Sequence, residues 1–263
     1  MQETAKSIVF FEEGNGKDKK LLGGKGAGLC EMTRLGLPVP PGFVITTEVC
    51  NKYYESGGKM PSGLMDQVRT SMGKLERVTE KRFGNGENPL LVSVRSGSPI
   101  SMPGMMDTVL NLGLNDETVQ ALANQSGSPR VAWDAYRRFV QMFGKIVLGV
   151  DDGIFSRLLD EKKKQKNVVY DSELDAEALK DLTARFKKVC QEHAGREFPS
   201  DPYNQLELAI DAVFRSWMGE RAVEYRKYYK ITPDIAHGTA VNVVTMVFGN
   251  LGDDSATGVV FTR

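Results

Sequence analysis

The stretch Leu21-Leu-Gly-Gly-Lys-Gly-Ala-Gly28 sets a single lysine among closely spaced glycines. It follows a strand-like run, Ser7-Ile-Val-Phe-Phe11, and a polar, glycine-punctuated loop, Glu12 to Lys20. It precedes Leu29, Met32 and Leu35 at helical spacing, and the pattern stops at Gly36, a residue suited to a left-handed helix cap. The reading is a glycine turn that feeds a helix. Such a turn suits an anion: glycines let backbone N–H groups approach, the helix start adds a positive dipole end, and Lys25 adds a full charge. The stretch departs from the P-loop, with Lys19 where the first glycine belongs and Gly26 where Ser or Thr would hold magnesium. It also lacks the third glycine of the dinucleotide fingerprint, Leu29 and Glu31 standing there instead. The alternative reading is a tight turn with an exposed lysine.

Downstream, Pro38, Pro40 and Pro41 make a rigid connector, Phe43-Val-Ile45 reads as a strand, and Thr46 or Thr47 caps a helix through Tyr53-Tyr54. A further helix is expected from Leu64 to about Phe83. Leu90-Leu-Val-Ser-Val-Arg95 is a buried type of strand, and Thr108-Val-Leu-Asn-Leu112 is another. Between them runs a loop of glycine, serine and proline ending at Asp107. Strand, small-residue loop, strand is the layout of a ligand clamp. Arg95, a charge at the end of an apolar strand, needs an anion beside it: either a ligand or an internal carboxylate. In Ser101-Met-Pro-Gly-Met-Met-Asp-Thr108, Gly104 and Thr108 are the candidate donors to phosphate, while Met102, Met105 and Met106 fill gaps or line an adenine-sized pocket.

From Glu117 to Ala194 the pattern is helical, with Leu179, Leu182, Phe186 and Val189 on one face. In Tyr136-Arg-Arg-Phe139, one of Arg137 and Arg138 turns further from solvent than the other. Asp201-Pro202 opens another helix, buried through Leu206, Ile210, Val213 and Trp217 and broken near Gly219. Two β patterns, Thr239 to Phe248 and Gly258 to Thr262, follow with a hairpin-like connection. Neither histidine, His193 or His237, has a partner at metal-ligand or triad spacing, so no metal site is assigned within the chain.

Composition narrows the classes. The 263 residues are 41% apolar and 26% charged, which excludes a disordered chain. Lys plus Arg and Asp plus Glu are equal at 34, so no global field steers the protein to nucleic acid or an anionic membrane. No run of 18 apolar residues exists, and the first residues lack the charged and apolar regions of a signal peptide. Three cysteines, Cys30, Cys50 and Cys190, fit reduced thiols rather than a disulfide frame.

Four blocks together resemble the N-terminal part of the pyruvate, phosphate dikinase family. They are Leu21 to Gly28, Leu91-Val-Ser-Val-Arg-Ser-Gly97, Ser101 to Asn115 and Tyr136-Arg-Arg-Phe139. Thr239 to Asn250 and Ser255 to Arg263 extend the resemblance over essentially the whole chain. The Ser-Met-Pro-Gly-Met-Met-Asp-Thr block is the specific one; Gly-Gly-Lys-Gly and Val-Arg-Ser are shared with phosphoenolpyruvate synthase, glucan, water dikinase and the rifampin phosphotransferases. The resemblance implies an α+β fold, an ATP-grasp nucleotide-binding domain with a helical insert. Residues 1–116 would form the first subdomain, 117–200 the insert, 201–238 helices returning to the first subdomain, and 239–263 the start of an incomplete second subdomain. Residues after about 240 would then lack sheet partners.

By the same resemblance Lys25 and Arg95 contact ATP phosphates, Gly104 and Thr108 form the phosphate loop, Met246 and Val247 offer backbone contacts to adenine, and Arg138 supports phosphate transfer or domain docking. The implied reaction turns ATP, phosphate and pyruvate into AMP, pyrophosphate and phosphoenolpyruvate. It proceeds through a phosphohistidine on a swivelling domain outside this chain, with phosphoenolpyruvate synthase chemistry or a non-catalytic nucleotide-binding module as alternatives. Val244 stands where relatives often carry Gln. The ligands of Mg2+ and the phosphorylated histidine would follow Arg263, so the chain reads as a piece of a longer enzyme, inactive alone. The expected assembly is a homodimer formed through other parts. The expected compartment is the cytoplasm, or an organelle such as a plastid or glycosome.

Overall fold

The glycine turn is a break inside one helix rather than a loop before it. In the computed structural model, which describes residues 6–195, 197–250 and 254–259, helix α1 spans Lys19–Arg34, but Gly23 departs from helical geometry with φ of 68° and ψ of 164°. One turn precedes the break, and the helix restarts at Gly24. At Gly23 an added Cβ would lie 1.8 Å from the Gly97 carbonyl oxygen, so only glycine satisfies both the left-handed backbone and the close approach. As expected, Gly36 is left-handed just beyond the helix end.

In chain order the remaining elements are β1 (Ile8–Phe10), which precedes α1, then β2 (Gly42–Ile45), α2 (Thr47–Glu55), α3 (Leu64–Thr79), β3 (Arg82–Phe83), β4 (Pro89–Leu90), β5 (Val92–Gly97) and β6 (Thr108–Leu112). They continue with α4 (Thr118–Ser126), α5 (Pro129–Ile146), α6 (Asp152–Lys166), α7 (Ala176–Ala194), α8 (Pro202–Ser216), α9 (Glu220–Tyr228) and β7 (Ala240–Thr245). Helix and antiparallel sheet are mixed as an α+β chain. The chain divides into two compact units.

The first unit comprises the residues up to Lys81, Val92–Leu112 and Tyr203–Thr245. Its sheet has the order β1-β2-β7-β5-β6, every pair antiparallel. The last strand in sequence is therefore the central one: β7 pairs with β2 on one side and β5 on the other. This corrects the expectation that residues after about 240 lack sheet partners, because Ala240–Thr245 is buried throughout and fully paired. Of the second β pattern, Gly258 and Val259 carry no strand, nor do 254–257 before them; 260–262 of that pattern and residues 251–253 of the connection lie outside the described residues.

Helix α1 covers one sheet face, where Leu22, Ala27 and Cys30 pack with Val9, Val44, Ala240 and Val244. Arg95, Asn242 and Thr108 occupy one row of that face, since Arg95 is opposite Asn242 in β7 and Thr108 in β6. A bulge creates the second pairing. Val92 faces Leu112, yet Val94 faces Val109, so β6 holds one extra residue, near Asn111 with its left-handed φ of 62°. Without that residue Val109 rather than Thr108 would stand opposite Arg95.

The second unit comprises Arg82–Leu91, Gly113–Pro202 and the residues from Met246. Here α5 packs along α4 and α7, and Tyr136, Phe139, Phe143, Phe155 and Phe186 are fully buried. Ser128, Asp151 and Asp175 cap α5, α6 and α7 by accepting backbone N–H groups. The helix expected to reach Phe83 stops at Thr79, because Glu80 takes a left-handed φ of 55°; Arg82–Phe83 then pairs in parallel with Pro89–Leu90. Thr46 is the N-cap of α2, but neither threonine caps through its side chain: Thr46 Oγ1 donates to the Lys6 carbonyl and Thr47 Oγ1 to that of Lys20.

The glycine break yields a paired prediction. Gly23→Ala costs upwards of about 2 kcal/mol in urea denaturation, through left-handed strain and a backbone collision. Gly28→Ala, whose Cβ meets nothing within 4 Å, stabilises the same helix by about 0.5–1 kcal/mol.

Candidate phosphate-binding site

The restart of α1 brings its first turn against the end of β5. Gly24 N–H donates to the Ser98 carbonyl at 2.9 Å, and Lys25 Nζ donates to the Ser96 carbonyl at 2.9 Å. An open cleft of about 590 Å3 lies there, lined by Gly24 and Lys25, by Ser96 and Gly97 of β5, by the loop to Gly104, and by Met106 and Thr108. The structure thus gathers Lys25, Gly104 and Thr108 around one cleft. Arg95 stands beside it rather than in its wall: it reaches along its own strand, Nε donating to Ser93 Oγ at 3.0 Å.

The loop after β5 is held by hydrogen bonds at both ends. Ser98 accepts at one end, and at the other Asp107 N–H donates to Ser216 Oγ at 3.3 Å. Met105 N–H closes a turn onto the Met102 carbonyl. Among the described residues the N–H groups of Ser101, Met102, Gly104 and Met106 find no protein acceptor, nor do the hydroxyls of Ser101 and Thr108 find a partner. Gly104 is exposed with a left-handed φ of 72°. Clustered free N–H groups on a small-residue loop make a concavity for an anion.

The electrostatics point the same way. Burial lowers the Arg95 pKa, and burial together with the Arg95 charge lowers that of Lys25. Neither cation has a carboxylate partner among the described residues, so the internally paired arginine considered from sequence is absent. Two cations that repel each other without a counter-charge are a fixed positive potential awaiting an anion. No carboxylate lines the cleft, and no group of three His, Cys, Asp or Glu suited to a metal occurs among the described residues. These residues fit a phosphate and do not fit a divalent cation.

The other proposed residues lie in the second unit. Arg137, 2% exposed, is the buried member of its pair; it contacts Asp134 at 2.6 Å and Gln141 at 3.2 Å, while its Nε has no partner. Arg138 keeps 58% of its side chain in solvent and donates to the other Asp134 oxygen at 3.0 Å. Met246 N–H donates to the Leu91 carbonyl at 2.8 Å, and Val247 is 71% exposed. His193 and His237 are both exposed. Arg221, which the sequence does not single out, holds the loop after β5 from outside: its guanidinium donates to the Gly104 carbonyl at 3.3 Å and meets Asp107 at 3.4 Å. Nothing local marks it, since it is 114 positions from Asp107.

Backbone donors and uncompensated cations, with no carboxylate among the described residues of the lining, make this an α+β chain with a cleft whose chemistry suits a phosphate group. Comparison with known proteins sharpens this: the pyruvate phosphate dikinase AMP/ATP-binding domain family matches residues 19–70 and 56–263, and the chain belongs to that family. It is 61% identical over 256 residues to pyruvate, phosphate dikinase of Entamoeba histolytica, covering 97% of this chain and 29% of that protein. It is 51% identical over 260 residues to the Clostridium symbiosum enzyme, covering 98% and 30%. It is 50% identical over 265 residues to the chloroplastic enzyme of Flaveria trinervia, covering 99% and 28%. The chain thus spans about three-tenths of the length of these relatives. No described helix is long and apolar enough to cross a membrane.

The lowered Lys25 pKa makes a stability prediction. Without ligand the folded chain disfavours the ammonium, so its stability rises with pH from the lowered value towards the ordinary lysine value. Lys25→Gln removes that rise and leaves neutral-pH stability within about 0.5 kcal/mol of the parent, or above it. Thermal melts at several alkaline pH values check this; a large loss at neutral pH would mark Lys25 as a structural residue.

Proposed function

We propose that this chain is the ATP-side module of a pyruvate, phosphate dikinase, the enzyme that converts ATP, phosphate and pyruvate into AMP, pyrophosphate and phosphoenolpyruvate. The observation that carries the reading is the unpaired Lys25–Arg95 couple beside a loop of free N–H donors. Phosphoryl transfer asks a protein for charge neutralisation and positioning, and these groups supply both. Lys25 Nζ and the N–H groups of Ser101, Met102, Gly104 and Met106 bind and orient phosphate oxygens, with the Thr108 hydroxyl as a further donor. Arg95 adds charge from beside the cleft, on the sheet face it shares with Thr108, and turns its guanidinium to the polyphosphate.

The fold implied is ATP-grasp, with adenine contacted by the backbone at Met246 and Val247. Since Met246 N–H is already donated to Leu91, the groups left for adenine are the Met246 carbonyl and the Val247 backbone. Arg138 supports transfer or docking of the swivelling domain, its exposed guanidinium needing only to leave Asp134. The phosphohistidine, the magnesium ligands and the dimer contacts belong to parts of the enzyme outside this chain. Mg2+ supplies further charge neutralisation when bound, and no residue here is assigned to it.

Calorimetric titration with magnesium-ATP tests the reading. Arg95→Ala raises the ATP dissociation constant roughly 10- to 150-fold, the effect of one charge-assisted phosphate contact of about 1.5–3 kcal/mol. In the full-length enzyme Lys25→Ala and Arg95→Ala abolish pyruvate- and phosphate-dependent AMP formation. Intact AMP formation in both variants would overturn the assignment.

A further inference from the structure

Resting on the phosphate-loop reading above, we infer that Arg221 is a positioning residue for ATP, acting through the loop rather than on the nucleotide. Between Ser98 and Asp107 the chain has no regular structure, and its middle must nonetheless present N–H groups along one wall of the cleft. An unanchored loop of this kind would pay its ordering entropy at the moment of binding. At its centre, Gly104 is exposed and left-handed, and an added Cβ there would meet nothing within 4 Å, so packing does not fix the backbone.

The contact that does reach it comes from the start of α9. One Arg221 nitrogen donates to the Gly104 carbonyl at 3.3 Å, and the other lies 3.4 Å from Asp107 Oδ1. The planar fork of a guanidinium can span two such acceptors at once, where a lysine would present a single point charge. Arg221 therefore ties the tip of the loop to its base. The base is pinned separately by Asp107 N–H on Ser216 Oγ, and Ser216 in turn donates to the Val213 carbonyl of α8. A second hollow, of about 330 Å3, opens on this outer side among Met105, Asp107, Gly219 and Arg221. The loop consequently has room to move outward when the strap is cut. With its carbonyl held by Arg221, the Gly104 peptide is oriented before ATP arrives, and the loop's free N–H groups keep a common aspect.

The test uses the whole 263-residue chain and two variants, Arg221→Ala and Arg221→Lys, with hydrogen exchange in the absence of nucleotide and calorimetry with magnesium-ATP. In Arg221→Ala, exchange of the loop's hydrogen-bonded amides, Ile100, Met105 and Asp107, speeds up while the sheet and the second unit exchange as in the parent, and the ATP dissociation constant rises about tenfold. Arg221→Lys, which keeps the charge and one contact, recovers part of both effects. Unchanged loop exchange in Arg221→Ala, or faster exchange with parental ATP affinity, overturns the inference while leaving the phosphate site intact. Failure of the parent itself to bind ATP overturns the phosphate-loop reading and this inference with it. Exchange that speeds up throughout the first unit shows that Arg221 supports the fold as a whole, and equally overturns the positioning role.

Discussion

Everything at the cleft depends on one close approach, that of the Gly23 backbone to the Gly97 carbonyl. A helix cannot normally come so near a strand end, because a Cβ stands in the way; here glycine removes it and supplies the left-handed turn as well. The contact is locked by Gly24 N–H on Ser98 and backed by Asn242, whose amide packs against both Gly26 and Gly97. Shift α1 outward by the width of one methyl group and Lys25 loses Ser96 while the loop loses its first anchor. Two runs of sequence some 70 positions apart, joined by the Lys25–Ser96 bond, thus form one surface.

That packing forces an electrostatic debt. Arg95 sits in the middle of a sheet row with Asn242 and Thr108, its only side-chain partner among the described residues being the neutral Ser93 hydroxyl, and Lys25 is brought close enough for the two charges to repel. Three buried or half-buried cations of the helical unit are each matched by a carboxylate. Arg137 has Asp134, Lys162 has Asp181, and Lys187 has Asp116. What sets the cleft pair apart is that two such cations stand close enough to repel each other with no carboxylate between them.

Much of this was legible in the sequence, for local reasons. The strands around Arg95 and Thr108 and the helix opened by Asp201-Pro202 are each written in periodicity and turn residues, and the structure places them accordingly, while the glycine run was legible as a turn but not as a break one turn inside α1. What was not legible depended on distance or on phase. The central place of β7 is a matter of strand order, which no local pattern encodes. Glu80 ends α3 in a left-handed conformation that favours glycine, so no sequence signal warned that Arg82–Phe83 would leave the helix. Adjacent residues on a helix differ by about 100° in direction, so Arg137 and Arg138 could not be sorted until the core around Tyr136 and Phe139 was seen. The bulge near Asn111, which decides that Thr108 faces Arg95, is likewise invisible in an alternating apolar run.

Because β7 fills the gap between β2 and β5, the order of synthesis matters to this protein. A ribosome delivers β2 and β5 long before residues 240–245 emerge, and until then both strands present open edges that the finished sheet hides. The helices of the second unit, built from contacts close in sequence, are complete by then and can form during that wait. The nascent chain therefore passes through an interval in which its helical part can be folded while its first unit is an unsealed sheet, the period of greatest exposure to aggregation and of greatest use for a chaperone.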